Sequence, residues 1–231
     1  MSVLIIAECG VNHNGSEEVA YRLIDAAIAA KADVAKFQLY RPALLAPAGE
    51  KREMLERLLL PKEAYIRLAA YCKNNGIGFA CTAFDADSLQ WLLTYTKMEF
   101  VKISSGQWEN EELLNAAHDS DLMVIQSVDS RKFHYKPVVE NWHLLHVVPL
   151  YPTPPQEANL AILKRSWCSG LSDHSGDIYM PLAAVGLGAE IIECHITLDK
   201  NQDGPDHKAS LEPHQFIELV RGIRAIEKGL A

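Results

Sequence analysis

The stretch VLIIAECGVNHNGSEEVAYRLIDAAIAA at residues 3–30 contains the unit on which the fold prediction depends. Its apolar run at Val3–Ala7 has the length and composition of a buried strand. After a polar turn, Glu17–Ala30 carries apolar residues at helical spacing and begins with two acidic residues. A strand that is followed after a short turn by a helix is typical of a βα unit in a parallel sheet.

The same alternation of strand and helix patterns continues along the chain. Helical patterns lie between most of the apolar runs, and each run has the length of a strand. The runs are Val3–Ala7, Val34–Gln38, Ile77–Thr82, Phe100–Ile103, Leu122–Ile125, Leu144–Val148, Cys168–Leu171 and Ile191–Ile196. Eight such units in a chain of 231 residues predict an α/β fold, a closed (β/α)₈ TIM barrel. An open doubly wound sheet is the alternative.

Further helices are predicted after most of the later strands. They cover Pro61–Asn75, Ala86–Thr96, Glu111–His118, Pro181–Gly188 and Pro213–Leu230. The segment Ser127–Trp142 contains Pro137 and little periodicity, so we expect the fifth helix to be short or absent. Because no repeat or linker divides the chain, we expect residues 1–231 to form a single catalytic barrel domain.

Composition excludes several classes of protein. Lys and Arg number 22 against 30 Asp and Glu, and the net charge of −8 argues against nucleic-acid binding. No apolar run reaches the roughly 18 residues of a membrane span, and no secretory signal precedes Val3. The five cysteines form no CxxC pair, which fits a reducing compartment. We therefore expect a cytoplasmic protein with no nucleic-acid or membrane partner.

Polar side chains lie at or just after the carboxyl ends of nearly all predicted strands. Because strands of a parallel sheet are buried on both faces, polar residues there need an explanation. In TIM barrels this end carries the active site, although some of these residues could instead fill polar layers inside the barrel. The residues are Glu8, Lys36, Gln38, Thr82, Lys102, Ser104, Ser105, Ser127, Tyr151, Ser172, Asp173, His174, Glu193 and His195.

Two histidines in this set are candidate metal ligands. His174 and His195 follow adjacent predicted strands, and two imidazoles with open positions suit a divalent metal of the Mn, Fe, Co and Zn group. A lone histidine is more often a core or capping residue. The segment Asn12–Gly15 could be a binding loop, but its Asn-Gly pair favours an ordinary turn.

The two lysines in the set are candidate anion-binding residues. Lys36 and Lys102 could bind a phosphate and a carboxylate with the help of the neighbouring hydroxyl groups. Alternatively, either lysine could form a structural ion pair with Glu8 or Glu193.

A series of motifs covers nearly the whole chain. They are IIAECGVNHNGS (5–16), DVAKFQ (33–38), CTAFD (81–85), FVKISSG (100–106), LYPTPP (150–155), GLSDHS (170–175), IIECHITLDK (191–200) and GPDHKASLEP (204–213). In sequence and in order they resemble the motifs of the sialic acid synthase family, N-acetylneuraminate synthase and its relatives. SDHS, ECHITLDK and GPDHKASLEP are the most specific of them.

This resemblance implies a TIM-barrel transferase of carbohydrate biosynthesis. Such an enzyme condenses phosphoenolpyruvate with the open-chain aldehyde of an N-acylated amino sugar similar to N-acetylmannosamine. The products are a 2-keto-3-deoxy nonulosonic acid of the sialic acid type and phosphate. The resemblance also implies Mn²⁺ as the cofactor, with Mg²⁺ or Co²⁺ as alternatives, held by His174 and His195.

The resemblance assigns roles to further residues. It implies a catalytic set of Glu8, Lys36, Lys102, Glu193 and Asp206, in which Glu8 positions or deprotonates the attacking water. It implies substrate contacts from Gln38, Thr82, Phe84, Ser105, Gln107, Ser127, Tyr151, Ser172 and Lys208. The lysines and hydroxyls would hold phosphoenolpyruvate, whereas Gln38, Tyr151, Glu193 and Asp206 would line the acceptor side.

Three departures from the family pattern bear on the acceptor. Gln107 replaces a glutamate that is expected to contact the sugar, so a charge is lost. Pro149 replaces a small polar residue and has no N–H, so one phosphoenolpyruvate contact is expected to be lost. Full-length relatives continue into a small antifreeze-like domain beyond the position of Ala231, so we expect only the catalytic barrel here.

These departures leave three alternatives open. The chain could use N-acetylmannosamine, or a different aldose that leads to a legionaminic or pseudaminic acid. It could also be a degenerate homologue that binds a sugar acid without turnover. The resemblance further implies a homodimer, and an antifreeze-like domain could be supplied by a separately encoded chain.

Overall fold

The computed structural model describes residues 2–131, 140–164 and 167–230, and its strands close into a barrel. All neighbouring strands are parallel and pair in chain order, and the last strand pairs with the first. The strands are β1 (Leu4–Gly10), β2 (Val34–Leu39), β3 (Gly78–Ala83), β4 (Val101–Ile103), β5 (Val124–Val128), β6 (Trp142–Val147), β7 (Gly170–Asp173) and β8 (Ile191–His195). This confirms the predicted (β/α)₈ barrel and excludes the open sheet.

Helices follow most of the strands. They are α1 (Glu17–Ala30), α2 (Pro42–Leu45), α3 (Glu50–Arg57), α4 (Lys62–Asn74), α5 (Ala86–Tyr95), α6 (Glu111–His118), α7 (Tyr179–Gly186) and α8 (Pro213–Leu230). Helices α2 and α3 lie between β2 and α4 and are absent from the helices predicted from the sequence. Neither contains a buried residue, so no apolar pattern could have indicated them. Of the helices described, none is long and apolar enough to cross a membrane.

Helix α1 shows how local chemistry fixes the element boundaries. The Oγ of Ser16 accepts a hydrogen bond from the backbone N–H of Val19, which caps the first turn. Lys31 ends the helix in the left-handed conformation at φ 63°. Between these residues, Leu23, Ile24 and other apolar side chains of one face are fully buried against the barrel.

The connections beside β6 differ from a regular βα unit. The expected short or absent fifth helix falls largely on residues 132–139, which lie outside the described residues. Between β6 and β7 the chain forms 3₁₀ turns at Pro155–Glu157 and Leu160–Lys164. Here the buried imidazole of His146 hydrogen-bonds the Oγ of Ser130 at 2.6 Å and the carbonyl of Ala158 at 3.0 Å, linking the two connections.

The interior of the barrel is apolar at one end and polar at the other. Seven buried apolar side chains fill the amino-terminal part: Ile6, Val34, Ala80, Phe100, Ile125, Leu145 and Ile191. A larger apolar cluster packs the outer faces of the strands against the helices. Because the amino-terminal end is closed by apolar packing, the polar side chains at the carboxyl ends of the strands face the open mouth of the barrel.

Candidate active site

A cavity of about 500 Å³ opens at the carboxyl end of the barrel, and we call it the mouth cavity. It is lined by nearly all the residues that the sequence singled out: Glu8, Lys36, Gln38, Thr82, Phe84, Lys102, Ser104, Ser105, Ser127, Tyr151, Ser172, His174, Glu193, His195 and Asp206. Clefts of similar volume between α4, α5 and α6 bring together no such set of buried charged groups among the described residues.

Strand pairing brings the first charged group of the mouth cavity together. The ladders place Glu8 of β1 beside Lys36 of β2. The Nζ of Lys36 lies 2.5 Å from the Oε2 of Glu8 and donates to the Oγ1 of Thr82 at 2.9 Å. The other oxygen of Glu8 accepts from the Nε2 of Gln38 at 2.7 Å. Each of these groups therefore fixes the orientation of the next.

A second buried charged group adjoins the first. The Nζ of Lys102 donates to the Oγ of Ser127 at 2.8 Å and lies 3.6 Å from Glu193. Ser172 donates to the same oxygen of Glu193 at 2.9 Å. The other oxygen of Glu193 is 3.5 Å from the Nζ of Lys36, so Glu193 joins the two lysines.

The charges of these two groups balance. Burial alone would raise the pKa of Glu193, but Lys102 and Lys36 outweigh it and lower that pKa to about 2. Burial lowers the pKa of Lys102, and the attraction of Glu193 offsets this only in part. Two ammonium groups and two carboxylates, each less than 5% exposed, form a compact buried cluster whose charges neutralise one another, so both lysines form the ion pairs that were the alternative to anion binding.

Two imidazoles stand next to these charges. Burial lowers the pKa of His174 to about 4 and that of His195 well below its usual range, so both rings are neutral at pH 7. The Nδ1 of His174 is 2.9 Å from the carbonyl of Val148, and its Nε2 is 2.9 Å from the hydroxyl of Tyr151. The carbonyl can only accept, so Nδ1 carries the proton, and the lone pair of Nε2 accepts the hydrogen bond from the hydroxyl of Tyr151.

His195 completes the pair of candidate metal ligands. Its ring centre is 5.3 Å from that of His174, and its buried Nδ1 has no hydrogen-bond partner among the described residues. This nitrogen lies 3.7 Å from the Oδ2 of Asp206. Two neutral imidazoles, one of them with an unpartnered ring nitrogen, fit a divalent cation of the Mn, Fe, Co and Zn group. In the described ranges, no group of three or more His, Cys, Asp or Glu is arranged to hold a metal.

Gly10 provides the space in which three site residues meet. It ends β1 in the left-handed region at φ 51°, a conformation that favours glycine. A Cβ at this position would lie 3.2 Å from the Oε1 of Glu8, 3.2 Å from the Nε2 of Gln38 and 3.3 Å from the Oδ2 of Asp206. The absence of a side chain at Gly10 therefore lets these polar groups approach one another.

The candidate residues that lie outside the lining of the mouth cavity are Asp173, Gln107 and Lys208. The Oε1 of Gln107 accepts from the Nδ2 of Asn110, the residue that caps helix α6. Lys208 is exposed on the loop after β8. Conversely, Lys51 of α3 lines the cavity and was missed, because a lysine in a polar helix has no signal that distinguishes it. Pro149 lines the cavity where a donor was expected.

The chain is similar in sequence to several known proteins. A family model described as the NeuB family matches residues 23–231. An N,N'-diacetyllegionaminic acid synthase of Campylobacter jejuni is 35% identical over 98% of this chain and 77% of its own length. The N-acetylneuraminate-9-phosphate synthase of Mus musculus is 36% identical over 98% of this chain and 70% of its own.

A similar relation is found among solved structures. The N-acetylneuraminic acid (sialic acid) synthetase of Leptospira borgpetersenii, crystallised in complex with citrate, superposes with a TM-score of 0.90 at 33% identity. The match covers 100% of this chain and 86% of that one.

Proposed function

The chain belongs to the NeuB family, and from this premise we propose that it is a phosphoenolpyruvate-dependent sugar acid synthase. It joins phosphoenolpyruvate to the open-chain aldehyde of an N-acylated amino sugar. The products are a 2-keto-3-deoxy nonulosonic acid and phosphate. The observation that carries this proposal is the meeting, in one cavity, of two buried lysines, two buried glutamates and two neutral imidazoles.

The donor side of the cavity suits phosphoenolpyruvate. Lys36 and Lys102 supply positive charge, and Thr82 and Ser127 are already hydrogen-bonded to them. Together with the hydroxyls of Ser105 and Ser172 they can surround a phosphate and a carboxylate. When phosphoenolpyruvate binds, the ammonium groups exchange part of their contact with Glu8 and Glu193 for the oxygens of the substrate.

The two glutamates serve the bond-making steps. The nucleophilic C3 of phosphoenolpyruvate attacks the aldehyde carbon, and a new C–C bond forms as positive charge develops at C2. The carboxylates of Glu8 and Glu193 stabilise this charge. Glu8 also accepts a proton from the water that adds to C2, and a proton is returned to the former aldehyde oxygen, which becomes a hydroxyl group. The C–O bond to phosphate then breaks, which leaves the 2-keto group and inorganic phosphate.

On the side of the cavity that would bind the sugar aldehyde, the proposal includes a divalent metal ion as cofactor. His174 and His195 would hold a divalent cation, for which Mn²⁺ is the first choice and Mg²⁺ or Co²⁺ are alternatives. When bound, the cation supplies a Lewis acid that polarises the aldehyde oxygen of the acceptor. The carbonyl of Val148 orients the ring of His174 for this role through Nδ1, and the hydroxyl of Tyr151 would release Nε2 to the cation.

The acceptor itself is N-acetylmannosamine or a related amino sugar in this proposal. A second candidate is a diacetylated aldose that leads to a legionaminic acid, and the position of Gln107 outside the cavity favours this change. A third candidate is binding of a sugar acid without turnover, which Pro149 favours because it offers no hydrogen-bond donor.

We further propose that the protein acts in the cytoplasm as a homodimer. The buried free thiols of Cys9, Cys72, Cys81 and Cys194 support a reducing compartment. Size-exclusion chromatography with light scattering tests the dimer, and a monomer at micromolar concentration would contradict it.

Phosphate release is the experiment that tests the proposed function. The protein is incubated with phosphoenolpyruvate and a panel of amino sugars, with Mn²⁺ or with EDTA, and the product is identified by mass spectrometry. We expect release that requires both the metal and one acceptor, and none from the Lys102→Met variant. No release with any acceptor at high enzyme concentration, while phosphoenolpyruvate still binds, would leave binding without turnover as the function.

A further inference from the structure

The loop after β8 brings Asp206 to the mouth cavity and is tied to the barrel at both ends. The N–H of Thr197 donates to the carbonyl of Leu211 at 2.9 Å, and the N–H of Leu211 donates to the carbonyl of His195 at 2.8 Å. The N–H of Ile196 donates to the carbonyl of Glu8 at 2.9 Å. Residues 197–210 therefore form a loop whose two ends both lie beside the end of β8.

Asn12 reaches into this loop from the turn after β1. Its side chain is 1% exposed, and its Nδ2 donates to the carbonyl of Ile196 at 2.9 Å and to the Oγ of Ser210 at 2.8 Å. The Oγ of Ser210, which is fully buried, donates in turn to the carbonyl of Asp206 at 2.7 Å. A continuous chain of hydrogen bonds thus runs from Asn12 through Ser210 to the backbone of Asp206.

A second set of contacts holds the outer part of the same loop. The Nδ1 of His207 is 2.7 Å from the Oγ1 of Thr197, and its Nε2 is 3.3 Å from the Oδ1 of Asn14. The Nδ2 of Asn14 donates to the carbonyl of Asp203 at 3.1 Å. Asn12 and Asn14 therefore act as ties between two loops, and neither lines the mouth cavity.

We propose that Asn12 and Ser210 are positioning residues that hold Asp206 in place at the mouth cavity. The Oδ2 of Asp206 lies 3.7 Å from the Nδ1 of His195 and beside Glu8 and Gln38 at Gly10. A small shift of the loop would move this carboxyl away from all three groups. The expected effect of Asn12 on turnover rests on the proposed function. Its expected effect on the position of the loop after β8 does not depend on that function.

Turnover in single and double variants tests the positioning role. Because a displacement of about 1 Å in a catalytic group can cost up to about 100-fold in rate, we expect Asn12→Ala and Ser210→Ala to lower kcat by about 10- to 100-fold. In the Asp206→Ala background the same changes are expected to alter kcat by less than about 2-fold, since they act through Asp206. The KM for phosphoenolpyruvate is expected to stay unchanged. Equal losses in both backgrounds would overturn the proposal and indicate a purely structural role.

Gln202→Ala is the matched control, because Gln202 lies in the same loop and its side chain has one hydrogen bond within the described part of the chain, a long one of 3.4 Å from the Nδ2 of Asn14. Its kcat is expected to equal that of the parent. Where Asn12→Ala does not fold, Ser210→Ala removes a single hydroxyl and keeps the test valid.

Hydrogen exchange provides a readout that needs no substrate. We expect faster exchange of the amides in residues 197–210 in Asn12→Ala and not in Gln202→Ala. If the parent shows no turnover with any acceptor, the proposed function fails. Faster exchange in Asn12→Ala would still show that Asn12 holds the loop in place. Unchanged exchange in Asn12→Ala overturns the tie itself.

Discussion

The ammonium group of Lys36 lies 2.5 Å from the Oε2 of Glu8, and both side chains are only 2% exposed. An ion pair at this depth contributes little net stability as a pair, but removal of one partner leaves the other as an uncompensated buried charge. We therefore expect Lys36→Met to lower the free energy of unfolding by about 3–5 kcal/mol at neutral pH, as measured by urea denaturation.

The double variant Lys36→Met/Glu8→Gln is the control for this prediction. It removes both charges and keeps the shape of both side chains, so most of the lost stability is expected to return. Activity is expected to stay lost in both variants. A loss below about 1 kcal/mol in Lys36→Met would contradict the compensated ion pair.

Gly10→Ala tests the crowding of the mouth cavity. The added methyl group meets Glu8 and Gln38 at 3.2 Å, so we expect activity to fall by more than about 10-fold through displacement of these groups. Gly76→Ala is the matched control, because Gly76 also has a positive φ, 74°, and an added Cβ would meet no atom within 4 Å. Both variants carry the same kind of backbone strain, so equal activity in the two would contradict a specific effect at Gly10.

Metal binding is expected to depend on His174 and His195. Isothermal titration with Mn²⁺ in the absence of substrate should show the affinity of His174→Ala and His195→Ala reduced by more than about 100-fold, beyond the usual effect of a neighbouring residue. His214→Ala is the control, since His214 is 73% exposed on α8. Unchanged Mn²⁺ affinity in both test variants would show that the two imidazoles are not ligands.

His13 predicts a dependence of stability on pH. Burial lowers the pKa of His13 to about 4, and its Nδ1 accepts a hydrogen bond from the N–H of Gly15 at 3.1 Å. Between pH 6.5 and pH 4 the unfolded chain takes up a proton here that the folded chain does not. The free energy of unfolding is therefore not reduced by His13 above pH 6.5, and it decreases as the pH falls from 6.5 towards 4.

Urea denaturation of the parent and of His13→Gln at pH 7 and pH 5 measures this contribution. The parent is expected to lose up to about 1.4 kcal/mol per pH unit more than His13→Gln over this range. Parallel losses in the two proteins would mean that His13 is accessible to protons in the folded state.

The strand pattern predicted the barrel because parallel strands buried on both faces give continuous apolar runs. The boundaries of β5 and β7 were predicted too early, and Ser127 and Ser172 belong to these strands rather than following them. Backbone pairing does not require an apolar side chain, so a strand can continue into the polar mouth of the barrel. A prediction from apolar patterning alone therefore places the end of such a strand before its last polar residues.

The residues that line the site were predicted more completely than the loop residues that hold them in place. Most candidate residues project from strand ends, where a closed barrel necessarily brings them together. Residues on the connecting loops depend on contacts between distant segments, and sequence spacing does not encode these. The turn at Asn12–Gly15 was favoured as an ordinary turn, whereas the structure also ties its two asparagines to the loop after β8.

The pairing of Glu8 with His195 across β1 and β8 has a consequence for how the protein is made. These neighbours come from opposite ends of the chain, so the ribosome must synthesise nearly all of it before the two residues can meet. Until then the edge of β1 lacks its partner and can pair with another nascent chain. The contact that completes the mouth cavity is also among the longest-range contacts in the molecule, so late closure and slow folding are expected. Variants that weaken β8 should therefore reduce the yield of native protein before they reduce the activity of the molecules that fold.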